Sequence, residues 1–115
     1  MNFQLVNDII TGVRLEHYSV EKLKKEISEI VYKYLNKNEY NIFFFGSRVN
    51  GRGTEYSDID VGINGNNIVK PEIMRKIKDD IEEIHTMYII DIVDFATVST
   101  AFKNVAMKNI EYING

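Results

Sequence analysis

The most constraining stretch of this chain runs from Phe43-Phe44-Phe45-Gly46-Ser47 to Ser57-Asp58-Ile59-Asp60-Val61. It reads as an apolar strand that stops at a glycine-serine turn, followed by a short basic segment and a second strand with two acids in alternation. Ten residues, 48 to 57, separate Gly46-Ser47 from Asp58-Ile59-Asp60. Alternation in a strand sends residues two apart to one face, with Cα atoms roughly 6.6 Å apart. Asp58 and Asp60 therefore project together, while Ile59 and Val61 turn to the core. The three phenylalanines suit a strand buried on both faces.

Two carboxylates on one face repel unless a cation sits between them. Carboxylate oxygens, completed by phosphates and water, are what a Mg²⁺ ion takes. Gly46 permits a tight turn and close approach of a phosphate. Ser47 is suited to cap a helix that follows, and its hydroxyl can donate to a phosphate oxygen. A helix start there presents free N–H groups to an anion. Arg48 and Arg52 add positive charge nearby. Taken alone, Asp-x-Asp also fits a solvent-facing edge strand with ordinary surface acids, and Gly-Ser fits a turn without a ligand.

Around this unit the periodicities give one set of elements. Residues 2–12 have helical spacing, with Gly12 as a stop. Ser19 is an N-cap for a helix to about Asn36, with Val20, Leu23, Ile27, Ile30, Val31, Tyr34 and Leu35 as its apolar stripe. A strand at residues 41–45 and the motif strand at 58–63 follow. Pro71 fits the first turn of a helix extending to about His85. Tyr88 to Phe95 reads as a central strand carrying Asp91 and Asp94 on opposite faces. An unpaired carboxylate is costly in a buried strand, so at least one of them should meet a metal or a cation. A last helix, capped by Thr97 or Ser99, carries Val98, Ala101, Phe102, Val105 and Ala106, and residues 110–113 form a short edge strand. The expected fold class is α/β (α+β), helices packed on a small mixed sheet. The chain reads as one domain over 1–115, with 1–18 as a possible N-terminal extension.

The aromatic strand, Gly46-Ser47-Arg48, Gly51 and Ser57-Asp58-Ile59-Asp60 together resemble the signature of the DNA polymerase β-like nucleotidyltransferases, and more closely their minimal prokaryotic branch. That resemblance covers residues from about 20 onward. It implies Mg²⁺- or Mn²⁺-dependent transfer of a nucleoside monophosphate, AMP from ATP above all, to an acceptor hydroxyl. It assigns metal binding and catalysis to Asp58, Asp60 and a third carboxylate, for which Asp91 fits best and Asp94 is the alternative. Gly46, Ser47, Arg48 and Arg52 are implied as nucleotide-phosphate ligands. Minimal members often carry a second arginine where this chain has Asn50, a departure that leaves compensation by Arg52 an open question. The branch's usual partner is a small helical HEPN (higher eukaryotes and prokaryotes nucleotide-binding) protein, typically a ribonuclease toxin. The resemblance thus implies an antitoxin that adenylylates a partner tyrosine. A binding-only antitoxin and an aminoglycoside-type small-molecule nucleotidyltransferase stay open as alternatives.

Composition bounds the rest. A chain of 115 residues holds one core and little more. A net charge of −3, without a dense Lys/Arg tract, argues against direct nucleic-acid binding. The lack of cysteine removes disulfide, zinc-thiolate and thiol-nucleophile chemistry. The sequence offers no signal peptide or membrane span, so the cytoplasm is the expected location.

Overall fold

In the computed structural model the described residues are 12–49, 51 and 56–113. The expected helix at 2–12 therefore lies outside them, as do Asn50 and Arg52. In chain order the elements are α1 (Val20–Tyr34), β1 (Tyr40–Phe45), β2 (Ile59–Gly65), α2 (Pro71–Glu82), β3 (Ile90–Asp94), α3 (Thr100–Ala106) and β4 (Glu111–Tyr112). They form a mixed sheet of four strands in the order β3-β2-β1-β4. β1 runs antiparallel to β2 and β4, and β2 runs parallel to β3.

The sequence explains each boundary. Ser19 caps α1, its hydroxyl accepting the Lys22 N–H at 3.1 Å, a contact worth about 1 kcal/mol. The helix ends at Tyr34, and the Asn36 side chain accepts the Asn38 N–H at 2.8 Å to turn the chain into β1. Pro71 opens α2 at its first position, where its missing N–H costs nothing. Ser99 caps α3 by accepting the Phe102 N–H at 3.1 Å. Asp80 joins the two longer helices, its Oδ2 lying 2.6 Å from Lys33 Nζ and accepting the Tyr34 hydroxyl at 2.7 Å.

Alternation along β1 divides the core in two. Ile42 and Phe44 join Leu23, Ile27 and Val31 of α1, Ile77 and Ile81 of α2, and Ile59, Val61 and Ile63 of β2. Phe43 and Phe45 join Phe95 in a second, aromatic cluster against α3. There the Phe95 ring lies edge-on to Phe43 and to Phe45, each at 5.0 Å between centroids. Burial of the Phe43–Phe45 run on both faces of the sheet is as the sequence predicts.

Two expectations change. The strand 88–95 is not central: among the described residues β3 pairs with β2 alone and forms one edge of the sheet. The sequence run shows the apolar residues of a covered strand, but α2 and the aromatic cluster cover its faces without a further strand beside it. Nor does a helix begin at Ser47. Residues 46–49 form a turn closed by the Val49 N–H to the Gly46 carbonyl at 3.1 Å. Gly51 then takes a φ of 78°, a left-handed conformation that a right-handed helix cannot pass through.

The aromatic cluster depends on Gly62. A Cβ at this position would stand 2.5 Å from the Phe43 ring and 2.7 Å from that of Phe95. Gly62→Ala is expected to lower stability by roughly 1–3 kcal/mol, the cost of overpacking a filled core. Urea denaturation should show a lower midpoint with an unchanged slope.

Candidate active site

Residues paired directly across neighbouring strands point to the same side of a sheet. Phe45 pairs with Asp60, and Asp60 pairs with Asp91. One row across three strands thus carries an aromatic ring and two carboxylates, on the face that holds the aromatic cluster. Asp58 precedes β2 by one residue and is exposed; Asp60 is half-buried and Asp91 exposed. The three acids picked out from the sequence are brought together.

Their mutual repulsion registers at Asp60. Burial raises its pKa above the ordinary carboxylate value, and the negative charges of Asp91 and then Asp58 raise it further. Gly46 stands against the same carboxyl group. It has a φ of 84°, and a Cβ there would lie 2.4 Å from Asp60 Oδ2. Glycine is required twice over, by conformation and by the room Asp60 needs. This ties the first half of the motif to the second: the turn and the metal-type carboxylate touch.

Asp94 is excluded from this group by its own contacts. It points to the opposite face, is buried, and uses both oxygens on backbone donors. Oδ2 accepts the Val69 N–H at 2.8 Å, and Oδ1 accepts the Ala96 N–H at 2.9 Å. Of the two acids expected to include a cation ligand, Asp94 is satisfied by amides instead, which leaves Asp91 for that role. Asp94 holds the entry to α2 against the exit from β3.

Arg48 is also buried rather than held out toward an anion. Its Nε donates to the Ser57 carbonyl at 2.9 Å and its Nη1 to the Arg14 carbonyl at 3.4 Å. The guanidinium lies 5.0 Å from the centroid of the Tyr88 ring. Arg48 thereby fixes the residue immediately before Asp58. Ser47 is half-buried beside Gly46. Arg52 falls outside the described residues.

Two recesses flank the acids. A cleft of about 650 Å³ is lined by Phe45, Gly46 and Asp60 together with Phe102, Val105, Ala106, Lys108 and Asn109. On the other side Asp58 and Ser57 border a recess of about 350 Å³ with Tyr56, Met87, Tyr88 and Ile89. Sequence reasoning missed both sets. Phe102 and Val105 have the spacing of a core stripe, and nothing in that spacing tells a core face from the wall of a cleft.

Among the described residues no three acidic or histidine side chains form a ready-made metal cage. The donor set nevertheless fits a hard divalent cation. It is all carboxylate, and the charges of Asp91 and Asp58 add to burial in raising the pKa of Asp60. Mg²⁺ commonly takes only one or two protein carboxylates and draws its other ligands from phosphate and water.

A mixed sheet with paired acids beside a glycine turn defines a nucleotidyltransferase-type domain. The chain belongs to the polymerase beta nucleotidyltransferase family, whose model matches residues 25–114. It is similar to the probable protein adenylyltransferase MntA of Haemophilus influenzae, with 30% identity over 70 residues. That alignment spans 61% of this chain and 61% of the relative. Among solved structures, it resembles a chain of a complex between a tri-AMPylated Shewanella oneidensis HEPN toxin and an MNT antitoxin. The TM-score is 0.62 at 18% identity, covering 83% of this chain and 71% of that one. A toxin-antitoxin structure with AMP-PNP gives a TM-score of 0.59 at 20% identity, covering 80% and 73%. These likenesses establish the fold, and none of the described helices is long and apolar enough to cross a membrane.

The charge argument predicts opposed effects of one substitution. Asp60→Asn removes a half-buried charge that its neighbours repel, so the metal-free protein should melt at a higher temperature at neutral pH. Mg²⁺ or Mn²⁺ with an ATP analogue should raise the melting temperature of the parent and not that of the variant. Differential scanning fluorimetry reads both.

Proposed function

We propose that this chain is a minimal nucleotidyltransferase that moves AMP from ATP, with Mg²⁺, to a tyrosine hydroxyl of a HEPN-type toxin, and so acts as its antitoxin. The observation that carries this reading is the in-register pair Asp60–Asp91 on one face of β2 and β3, with Gly46 packed against Asp60. Its family supports the reaction class. A relative named a probable protein adenylyltransferase, and a structural neighbour found beside a tri-AMPylated HEPN toxin, support the substrate and partner.

In this reading the acceptor oxygen attacks the α-phosphorus, the bond to the β-phosphate oxygen breaks, and pyrophosphate leaves. Asp58 and Asp60 supply the metal-binding oxygens. A divalent ion bound there supplies positive charge for the phosphates and for the entering and leaving oxygens. Asp91, exposed at the sheet edge, adds a third carboxylate and takes the proton of the acceptor hydroxyl. Gly46 and Ser47 grip the β- and γ-phosphates through the turn's amides and the Ser47 hydroxyl, in place of a helix N-terminus. Arg48 serves as a positioning residue for Ser57 and Asp58, and Arg52 is the cation proposed to offset charge on pyrophosphate.

A protein acceptor is favoured by the surface beside Asp58. Tyr56, Met87 and Ile89 are 95%, 75% and 67% exposed and border one recess with that carboxylate. Large apolar side chains grouped in water mark an interaction surface more often than a small-molecule site.

The test is incubation with ATP, Mg²⁺ and a HEPN-type helical protein, read by intact-mass spectrometry. The parent should add AMP residues to tyrosine of that protein. Asp60→Asn or Asp91→Asn should slow transfer by about a hundredfold or more, the scale of losing one electrostatic contact to a transition state. Met87→Asp should reduce transfer to the protein while leaving nucleotide affinity unchanged. An unmodified partner that is inhibited at equal stoichiometry would replace catalysis with neutralisation by binding. A modified aminoglycoside beside an untouched partner would replace the protein acceptor.

A further inference from the structure

The carboxylate row and the glycine turn account for the phosphates and metal of a nucleotide, but they leave its base and sugar without a place. We infer that α3 and the turn after it form the nucleoside-binding wall, with Phe102 and Val105 against the base and Lys108 beside the phosphates. This rests on the nucleotidyltransferase reading and assigns the rest of the same substrate.

The aromatic cluster positions this wall. Phe102 sits edge-on to Phe45 at 6.1 Å and to Phe95 at 5.9 Å, which fixes where α3 lies relative to β1. Yet α3 buries none of its residues completely. Phe102 remains 44% exposed and Val105 68% exposed, and both line the cleft that Gly46 and Asp60 also line. A volume of about 650 Å³ lies within the range of small-molecule sites. Apolar side chains in one cleft with the groups proposed to bind phosphate and metal match the polarity a nucleoside triphosphate presents.

Lys108 supplies the second observation. Among the described residues lining the cleft it is the sole cation. Among the described residues no carboxylate forms an ion pair with its ammonium. Its backbone N–H bonds the Val105 carbonyl at 3.3 Å, so the turn leaving α3 sets its position. A lysine just past a helix end also suits the helix dipole. Its presence in a cleft with Asp60 gives it the further role of offsetting phosphate charge, since Arg48 is committed to backbone carbonyls.

Titration calorimetry on the full chain separates the two halves of the ligand. The probes are α,β-methylene-ATP with Mg²⁺, and inorganic tripolyphosphate with Mg²⁺, which has no base or sugar. Phe102→Ala and Val105→Asn should each weaken the analogue by about tenfold or more, the loss of a stacking and apolar contact, and leave tripolyphosphate within about twofold of the parent. Lys108→Gln should weaken both probes. Val105 is the more exposed residue, so its variant keeps the test open if Phe102→Ala loosens the aromatic cluster; thermal melts identify that case. Binding that Asp60→Asn abolishes but all three α3-side variants retain would overturn the wall and leave the proposed reaction standing. Parent and Asp60→Asn binding alike, or no binding by the parent, would overturn the carboxylate site and the wall with it.

Discussion

The repulsion among Asp58, Asp60 and Asp91 is the constraint around which this small domain is arranged. Strand register sets Asp60 beside Asp91, and burial with both neighbouring charges lifts the Asp60 pKa. Nothing about stability asks for such a row, since unlike its neighbours in the aromatic cluster it contributes no apolar burial. Charge concentrated at a structural cost is a frequent mark of a functional site. The remaining structure compensates by holding the row rigidly. Isoleucine, leucine and valine of α1, α2 and β2 fill one face. On the other, four phenylalanine rings meet edge to face.

Much of this was legible in sequence because short-range periodicity carries it. The alternation Asp58-Ile59-Asp60-Val61 separates core from site, and Ile59 and Val61 are indeed buried. Ser19 and Pro71 mark helix starts by chemistry that acts within one turn. Gly46 was assigned to a turn from its type alone, although its contact with Asp60 depends on pairing with a strand that begins at residue 59.

What sequence concealed is set by tertiary neighbours. The apolar character of β3 does not distinguish an edge strand under helices from a central one. Asp94 resembles Asp91 until the amides of Val69 and Ala96 are placed against it. Arg48 looks like a phosphate ligand until Ser57, Arg14 and Tyr88 surround it. The turn after Ser47 could be anticipated in part, because Gly51 interrupts any helix starting there. Phe102 and Val105 carried no such clue.

The central claim is that Asp58, Asp60 and Asp91 together hold the metal of a bound nucleotide. The most direct measurement is anomalous diffraction at the manganese edge from crystals grown with Mn²⁺ and α,β-methylene-ATP. The account predicts manganese density within ligand distance of Asp58 and Asp60, with Asp91 facing the same site and Asp94 still bonded to the Val69 and Ala96 amides. Manganese bound elsewhere on the chain, with the nucleotide phosphates away from Gly46, would contradict it.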